Sequence, residues 1–386
     1  MYLKFTADSI FTGTTTITNK VLIVNENKTI EAIVDLNDAG DDVQKFKGII
    51  SPGFINCHCH LELSHLKAII PQHTGMVDFI FNILSKRNID IEIIENAIET
   101  AEREMINNGI VAVGDICNTT HTIKQKQKNN LYYHNFIEIS GFVPKTAQAR
   151  LNAGLQVYNE FENFLPNASN TIVPHAPYSV SKELFCLIQQ QSQNKISTIH
   201  NQESVDEIDF FANKTGDFLR LHQSLGIDIS FFNPKYKSVL EYYIENMQNS
   251  SNCILVHNTL SNNSDLEILH KHSGNTQFYL CLCVIANGYI NNYTPNLRTL
   301  FNNIQNIVVG TDSLASNNCL NILQELQTIK KLCNTVTIEQ LLQMATINGA
   351  RALGIDKHFG SFEKGKKSGV VLIEDFETQK QPKPLV

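Results

Sequence analysis

The 386 residues contain no basic block and no lysine/arginine stripe, and 31 basic against 38 acidic residues leave a formal net charge of −7. Binding to a nucleic-acid polymer is dominated by neutralising phosphates, so this lack argues against DNA or RNA as a partner and for a small molecule. No apolar run reaches the roughly 18 residues that a membrane helix needs, and Met1 to Phe11 has no basic start leading into a long apolar stretch. No membrane partner is expected. A soluble, cytoplasmic protein is, with a homodimer as one option. The nine cysteines are scattered and odd in number, which suits reduced thiols rather than a disulfide framework. Internal repeats are missing, and no segment is of low complexity apart from a polar, proline-containing tail from Thr378. The length allows one large domain plus a small one and a substantial buried core.

What the chain does contain begins with Ser51-Pro52-Gly53-Phe54-Ile55-Asn56-Cys57-His58-Cys59-His60. If the apolar run into this stretch is a strand, side chains alternate between faces. His58 and His60 then point one way, able to share a cation, and Cys57 and Cys59 point the other. Two further β-branched runs end in metal-competent side chains: Ile196 to Glu203, carrying His200 and Glu203, and Ile307 to Ser313, carrying Asp312. Between them Ile254-Leu255-Val256 leads into His257. Cys57-x-Cys59 and Cys281-x-Cys283 have a spacing that can bind zinc, yet cysteine is commonly just a small buried residue, and that is the reading adopted.

From residue 50 onward short apolar runs alternate with helical patterns, which signals βα units and a parallel sheet. Eight runs stand out: Phe54 to His60, Ile110 to Ile116, Tyr132 to Ser140, Thr171 to Ala176, Lys195 to Glu203, Cys253 to Asn258, Gln277 to Cys283 and Asn306 to Asp312. The expected fold is α/β, a distorted TIM (β/α)8 barrel over residues 51–357. Residues 1–50 and 358–386 are expected to pair into a small β-sandwich against it. Glu92 to Asn108 reads as a long helix, and Thr337-Ile338-Glu339-Gln340 as a capping box opening a helix that stops near Gly354. Barrel active sites lie where the strands end, and His58, His60, His175, His200, His257 and Asp312 all fall there. Two connections are long: His65 to Phe79, and Ser204 to Lys235, which carries five phenylalanines that either cover the site or pack an accessory helix pair.

The order, strand context and spacing of these motifs resemble the amidohydrolase superfamily, more narrowly its deaminase and chlorohydrolase branch, from about residue 50 to about residue 370. The fourth strand, Val173-Pro174-His175-Ala176-Pro177-Tyr178-Ser179, offers no lysine of the kind that bridges two metals in binuclear members. The resemblance therefore implies a single divalent cation, Zn²⁺ with Fe²⁺ as the alternative, held by His58, His60, His200 and Asp312. It also implies that Glu203 shuttles protons to a ring nitrogen and that His257 orients or deprotonates the attacking water. Asp312 would accept a proton, and His175 and, more weakly, Ser313 would contact substrate. His60-Leu61-Glu62-Leu63-Ser64 resembles aminodeoxyfutalosine deaminases; Glu62 would bind substrate or, equally, hold a neighbouring histidine or backbone amide. Gln202 and the run Cys283-Val284-Ile285-Ala286-Asn287, which lacks the family's proline, depart from the pattern and weaken transfer of a substrate identity.

The function expected is a mononuclear metal-dependent hydrolytic deaminase acting on an aminated purine or adenine-nucleoside-like heterocycle, aminodeoxyfutalosine for example, with release of ammonia. A hydrolytic dechlorinase or other heteroaromatic-ring hydrolase is the alternative within enzymes. A catalytically silent metal-binding scaffold is the alternative outside them.

Overall fold

A computed structural model describes residues 2–386. Seven short strands come first: β1 (Tyr2–Thr6), β2 (Ser9–Phe11), β3 (Thr16–Ile17), β4 (Lys20–Asn25), β5 (Ile30–Asp35), β6 (Val43–Lys45) and β7 (Ile49–Ser51). Eight longer βα units follow, with strands β8 (Phe54–Cys59), β9 (Ile110–Cys117), β10 (Tyr132–Ile139), β11 (Ser169–Pro174), β12 (Ser197–Asn201), β13 (Asn252–His257), β14 (Gln277–Leu282) and β15 (Ile307–Val309). The chain finishes with β16 (Val371–Ile373) and β17 (Lys383–Pro384).

Each of the eight runs picked out by periodicity overlaps one of β8 to β15, to within two residues at the ends of β9, β11 and β13. They form two wholly parallel four-stranded sheets, β11-β10-β9-β8 and β12-β13-β14-β15. Both faces of these strands are apolar, as a parallel sheet covered on both sides requires. Along β9, β10, β13 and β14 alternate side chains divide between two cores. Ala112, Ile116, Phe136, Val256 and Cys281 enter one. Val113, Cys117, Ile137, Leu255 and Leu280 pack in the other with residues of the surrounding helices, such as Ile98 and Leu184.

No strand ladder joins the two sheets among the described residues. Single bonds cross the gap at the C-terminal ends of the edge strands. On one side the His200 N–H donates to the His175 carbonyl at 3.0 Å. On the other, the Thr311 and Asp312 amides both donate to the His58 carbonyl at 3.1 Å. Gly310 permits that approach, since a Cβ there would lie 2.8 Å from the His58 Cβ.

The terminal segments form a four-stranded sheet, β5-β4-β1-β6, and a five-stranded one, β17-β16-β7-β2-β3. Phe5 and Leu22 from the first share a core with Ile10, Ile50 and Leu372 from the second.

The helix Ile91–Asn107 is capped by Asp90, whose side chain accepts from the Glu92 amide. The Thr337–Gln340 capping box forms as expected. The helix behind it does not run on to Gly354. It breaks at Thr346, where ψ is −94°, into Ile338–Ala345 and Ile347–Ala352, and the Thr346 hydroxyl donates to the Leu342 carbonyl. Strict alternation also fails in β8, whose register against β9 shifts between Asn56 and Cys59; Cys57 and Cys59 consequently sit in different cores. All nine cysteines are free thiols. No helix of the described residues is long and apolar enough to cross a membrane.

Candidate active site

The ends of the parallel strands bring the polar residues together. His58 lies in β8, His60 just after it, His200 in β12 and Asp312 just beyond β15. Their donor atoms converge. The His58 and His60 Nε2 atoms are 3.2 Å apart, His200 Nε2 is 3.4 Å from His60 Nε2, and Asp312 Oδ1 lies 3.6 and 3.5 Å from the first two. A neutral imidazole offers one N–H, so three ring nitrogens and a carboxylate oxygen packed this closely cannot all satisfy one another by hydrogen bonding. The set matches what a tetrahedral cation site requires: neutral nitrogen ligands with one carboxylate. Burial and its histidine neighbour hold the His60 pKa down to about 4, and burial lowers that of His58 as well, which favours the neutral rings that a cation needs. Burial works to raise the Asp312 pKa, but the adjacent His58, His60 and His257 outweigh it and keep the carboxylate ionised.

The surroundings fix tautomers and orientation. His200 Nδ1 lies 2.8 Å from the His175 carbonyl, which only accepts, so Nδ1 carries the proton and Nε2 presents its lone pair to the cluster. His175 Nδ1 meets Ser179 Oγ at 2.6 Å; that hydroxyl already donates to the Ala176 carbonyl, so the ring donates to it. The Ser316 hydroxyl donates to Asp312 Oδ2 at 2.6 Å. His257 Nδ1 is 2.8 Å from Asn287 Oδ1, leaving Nε2 directed at Glu203 Oε1, 3.4 Å away. Glu203 is buried, and desolvation, with the nearby Asp312 and Glu207 carboxylates, pushes its pKa well above the usual range. Gln202, His257 and Asp312 have φ of 48°, 75° and 55°, the left-handed region that non-glycine residues enter at a cost, which is characteristic of functional sites.

A cavity of about 680 Å³ opens over the cluster, and His60, His175, His200, Glu203, His257, Asp312 and Ser313 all line it. Glu62 does not. Its carboxylate accepts from Arg87 Nη2, the Asn118 and Thr119 amides and the Thr119 hydroxyl, so it ties two loops together beneath the site, the second of the two roles expected for it. No cysteine belongs to a cluster able to hold a cation among the described residues.

Four lining residues escaped the sequence reading. Glu138, from β10, approaches His200 Nδ1 at 3.4 Å and accepts from Asn118 Nδ2; burial opposes its ionisation, but His175, His200 and His60 hold its pKa down to about 2. The only hint of it was a carboxylate near the end of an apolar run. Arg87 and Arg150 line the cavity, and Arg150 has no ion-pair or hydrogen-bond partner among the described residues. His222 comes from the long connection after β12, which forms the helices Val205–Asn213 and Phe218–Ser224. There Phe210, Phe211, Phe218 and Phe232 are buried, while Leu221, His222 and Leu225 face the cavity, so the connection both packs and covers.

The chain is similar in sequence and fold to known proteins. An adenosine deaminase of Helicobacter pylori is 26% identical over 329 residues, 83% of this chain and 77% of that protein. The structure of Helicobacter pylori aminofutalosine deaminase in complex with methylthio-coformycin superposes with a TM-score of 0.80 at 21% identity, covering 100% of both chains. A Xanthomonas campestris adenosine deaminase with bound zinc gives a TM-score of 0.72 at 20% identity, covering 98% of this chain and 86% of that one. The amidohydrolase family itself is matched across residues 49–385, from the strand that precedes His58 to the last strand of the terminal sheet. With that match spanning every strand that carries a cluster residue, the chain belongs to the amidohydrolase family.

Proposed function

We propose that the protein is a mononuclear, metal-dependent hydrolytic deaminase that replaces the exocyclic amino group of an aminated purine or adenine nucleoside with oxygen and releases ammonia. The observation that carries this is the convergence of His58, His60 and His200 Nε2 with Asp312 Oδ1 beside a cavity that His60, His200, Asp312, Glu203 and His257 line. The deaminases among the relatives support the reaction class, and aminodeoxyfutalosine is a candidate substrate.

His58, His60, His200 and Asp312 would hold the cation, and Zn²⁺ suits three imidazoles and a carboxylate, with Fe²⁺ as the alternative. Such a cation supplies Lewis acidity, making water acidic enough to ionise near neutral pH. The side chains do the rest. Glu203, protonated in its buried setting, gives its proton to the ring nitrogen beside the reacting carbon, which is a poor electrophile otherwise. His257, uncharged and fixed by Asn287, directs its Nε2 lone pair to orient the water and take its proton. The proton that His257 takes from water passes to the emptied Glu203 carboxylate 3.4 Å away, and Asp312 takes the adduct's hydroxyl proton and gives it to the amine, whose bond to carbon breaks as ammonia leaves, while His175 and Ser313 contact the heterocycle. Glu138 and Glu62 act at one remove, the first on His200 and the second on Arg87.

On the same reading the two parallel sheets form one distorted (β/α)8 barrel over residues 51–357. The segments up to residue 50 and from 358 to 386 form a small β-sandwich beside it. The bonds across both gaps and the core shared by Phe5, Leu22, Ile50 and Leu372 support this division.

Ammonia release by metal-loaded protein from a panel of purines, adenine nucleosides and pterins is the test. Release from adenine nucleosides is expected, with about one divalent ion per chain. Two ions per chain, undiminished turnover after exhaustive demetallation, or no ammonia from any member of the panel would overturn the reading.

A further inference from the structure

His222 is 3% exposed, and neither ring nitrogen makes a well-formed hydrogen bond among the described residues, although the Tyr178 backbone lies close enough to favour a proton on the ring. Its imidazole packs in a three-ring cluster with Phe142 and Phe210, at 4.9 and 5.2 Å between centroids. A phenylalanine would pack in such a cluster without leaving polar atoms dry, whereas an unpaired buried donor or acceptor costs about 1–3 kcal/mol. The ring is not hidden from everything, because it lines the cavity that opens over the His58 cluster. Its ring neighbours are Phe142, which lines the cavity, and the buried Phe210 behind it, while the cluster histidines pack on one another and on His175. Leu221, Leu225 and Ile227 beside it are apolar, so His222 is the polar point on an oily stretch of that wall.

We propose that His222 is a specificity-determining residue, hydrogen-bonding a polar atom on an extended sugar-side substituent of the nucleoside whose base lies at the cluster. This rests on the deaminase reading. Burial, outweighing the nearby Tyr178 backbone, lowers the His222 pKa to about 4, so at pH 7 the neutral ring carries one N–H and one lone pair. It therefore suits a carbonyl, hydroxyl or amine on the substituent, flanked by an apolar segment that contacts Phe142 and Leu225. An uncharged partner is sufficient.

The test compares wild type, His222→Phe and His222→Gln, all metal-loaded. The probes are aminodeoxyfutalosine and S-adenosylhomocysteine, whose long 5′-substituents carry polar groups, and methylthioadenosine, whose 5′-substituent is short and apolar. His222→Phe keeps the ring packing and should lower kcat/KM for the extended nucleosides by roughly threefold to tenfold, the value of one hydrogen bond, through KM. It should leave methylthioadenosine turnover unchanged and keep or raise the melting temperature, since the dry polar atoms are gone, and His222→Gln should recover most of the loss on the extended nucleosides. Equal losses on all three probes, or no loss on the extended ones, would overturn this inference alone. So would a wild type that deaminates only methylthioadenosine. A wild type that deaminates none of the three would overturn the deaminase reading and this inference with it.

Discussion

Glu203 and His257 face each other at 3.4 Å. Burial favours the protonated glutamic acid and the neutral imidazole, which under the proposed function would make the first the proton donor and the second the lone-pair acceptor. Glu203→Gln preserves shape and some hydrogen bonding but cannot carry a proton, so it should retain the metal and lose turnover by roughly 10² to 10⁴. Metal content, melting temperature and ammonia release on one preparation check this. Near-normal release at full metal occupancy would move the shuttle elsewhere, to His257 first. At this scale the cluster was readable because His58, His60, His200 and Asp312 each end an apolar run, and a strand end is a place that sequence can mark. Glu138, Arg150 and His222 were not readable. Each acquires its meaning from what the fold sets opposite it: His200 for Glu138, an open cavity without a counter-ion for Arg150, two phenyl rings for His222.

Among the elements, the turn after β8 depends on a buried ion pair. The Leu61 amide, next to His60, donates to Asp115 Oδ1 at 2.8 Å, and Asp115 Oδ2 pairs with Lys126 at 2.5 Å. The lysine and aspartate side chains are 1% and 0% exposed, and Lys126 also donates to Asn135 Oδ1. Removing one partner of such a pair leaves a buried charge uncompensated. Lys126→Met should therefore destabilise the protein by about 3–5 kcal/mol in urea unfolding and loosen metal retention through the His60 turn. A loss below about 1 kcal/mol would show that water reaches Asp115 and that the turn stands without the lysine. Periodicity found all eight parallel strands, because both of their faces are buried and the apolar runs are continuous. It missed the ends. β12 stops at Asn201, before Gln202 turns left-handed, and the C-terminal helix breaks at Thr346, where a hydroxyl bonds back to the preceding turn. Both depend on local backbone geometry that hydrophobic pattern does not encode.

For the whole molecule, alternation of runs and helical patterns announced a parallel α/β architecture. The division of its strands into two sheets had no sequence signature, since an edge strand buried on both faces reads like a central one. That division gives the cluster a mechanical meaning. His58 and His60 belong to β8 and its end, at the edge of one sheet, while His200 and Asp312 belong to β12 and the end of β15, the two edges of the other. A cation gripped by all four would be a clasp closing both joints at once, so loading the metal would tension the scaffold as well as arm the chemistry. The His200, Thr311 and Asp312 amides, which bridge the joints, are its gauges. Stripping the metal should speed their hydrogen exchange well before amides at the centre of either sheet respond, and equal protection with and without metal would show that the joints hold unaided. Selection for tight metal retention and selection for a cohesive fold would then act on the same side chains, and a variant that leaks its cation would be recognised first by its softened seams.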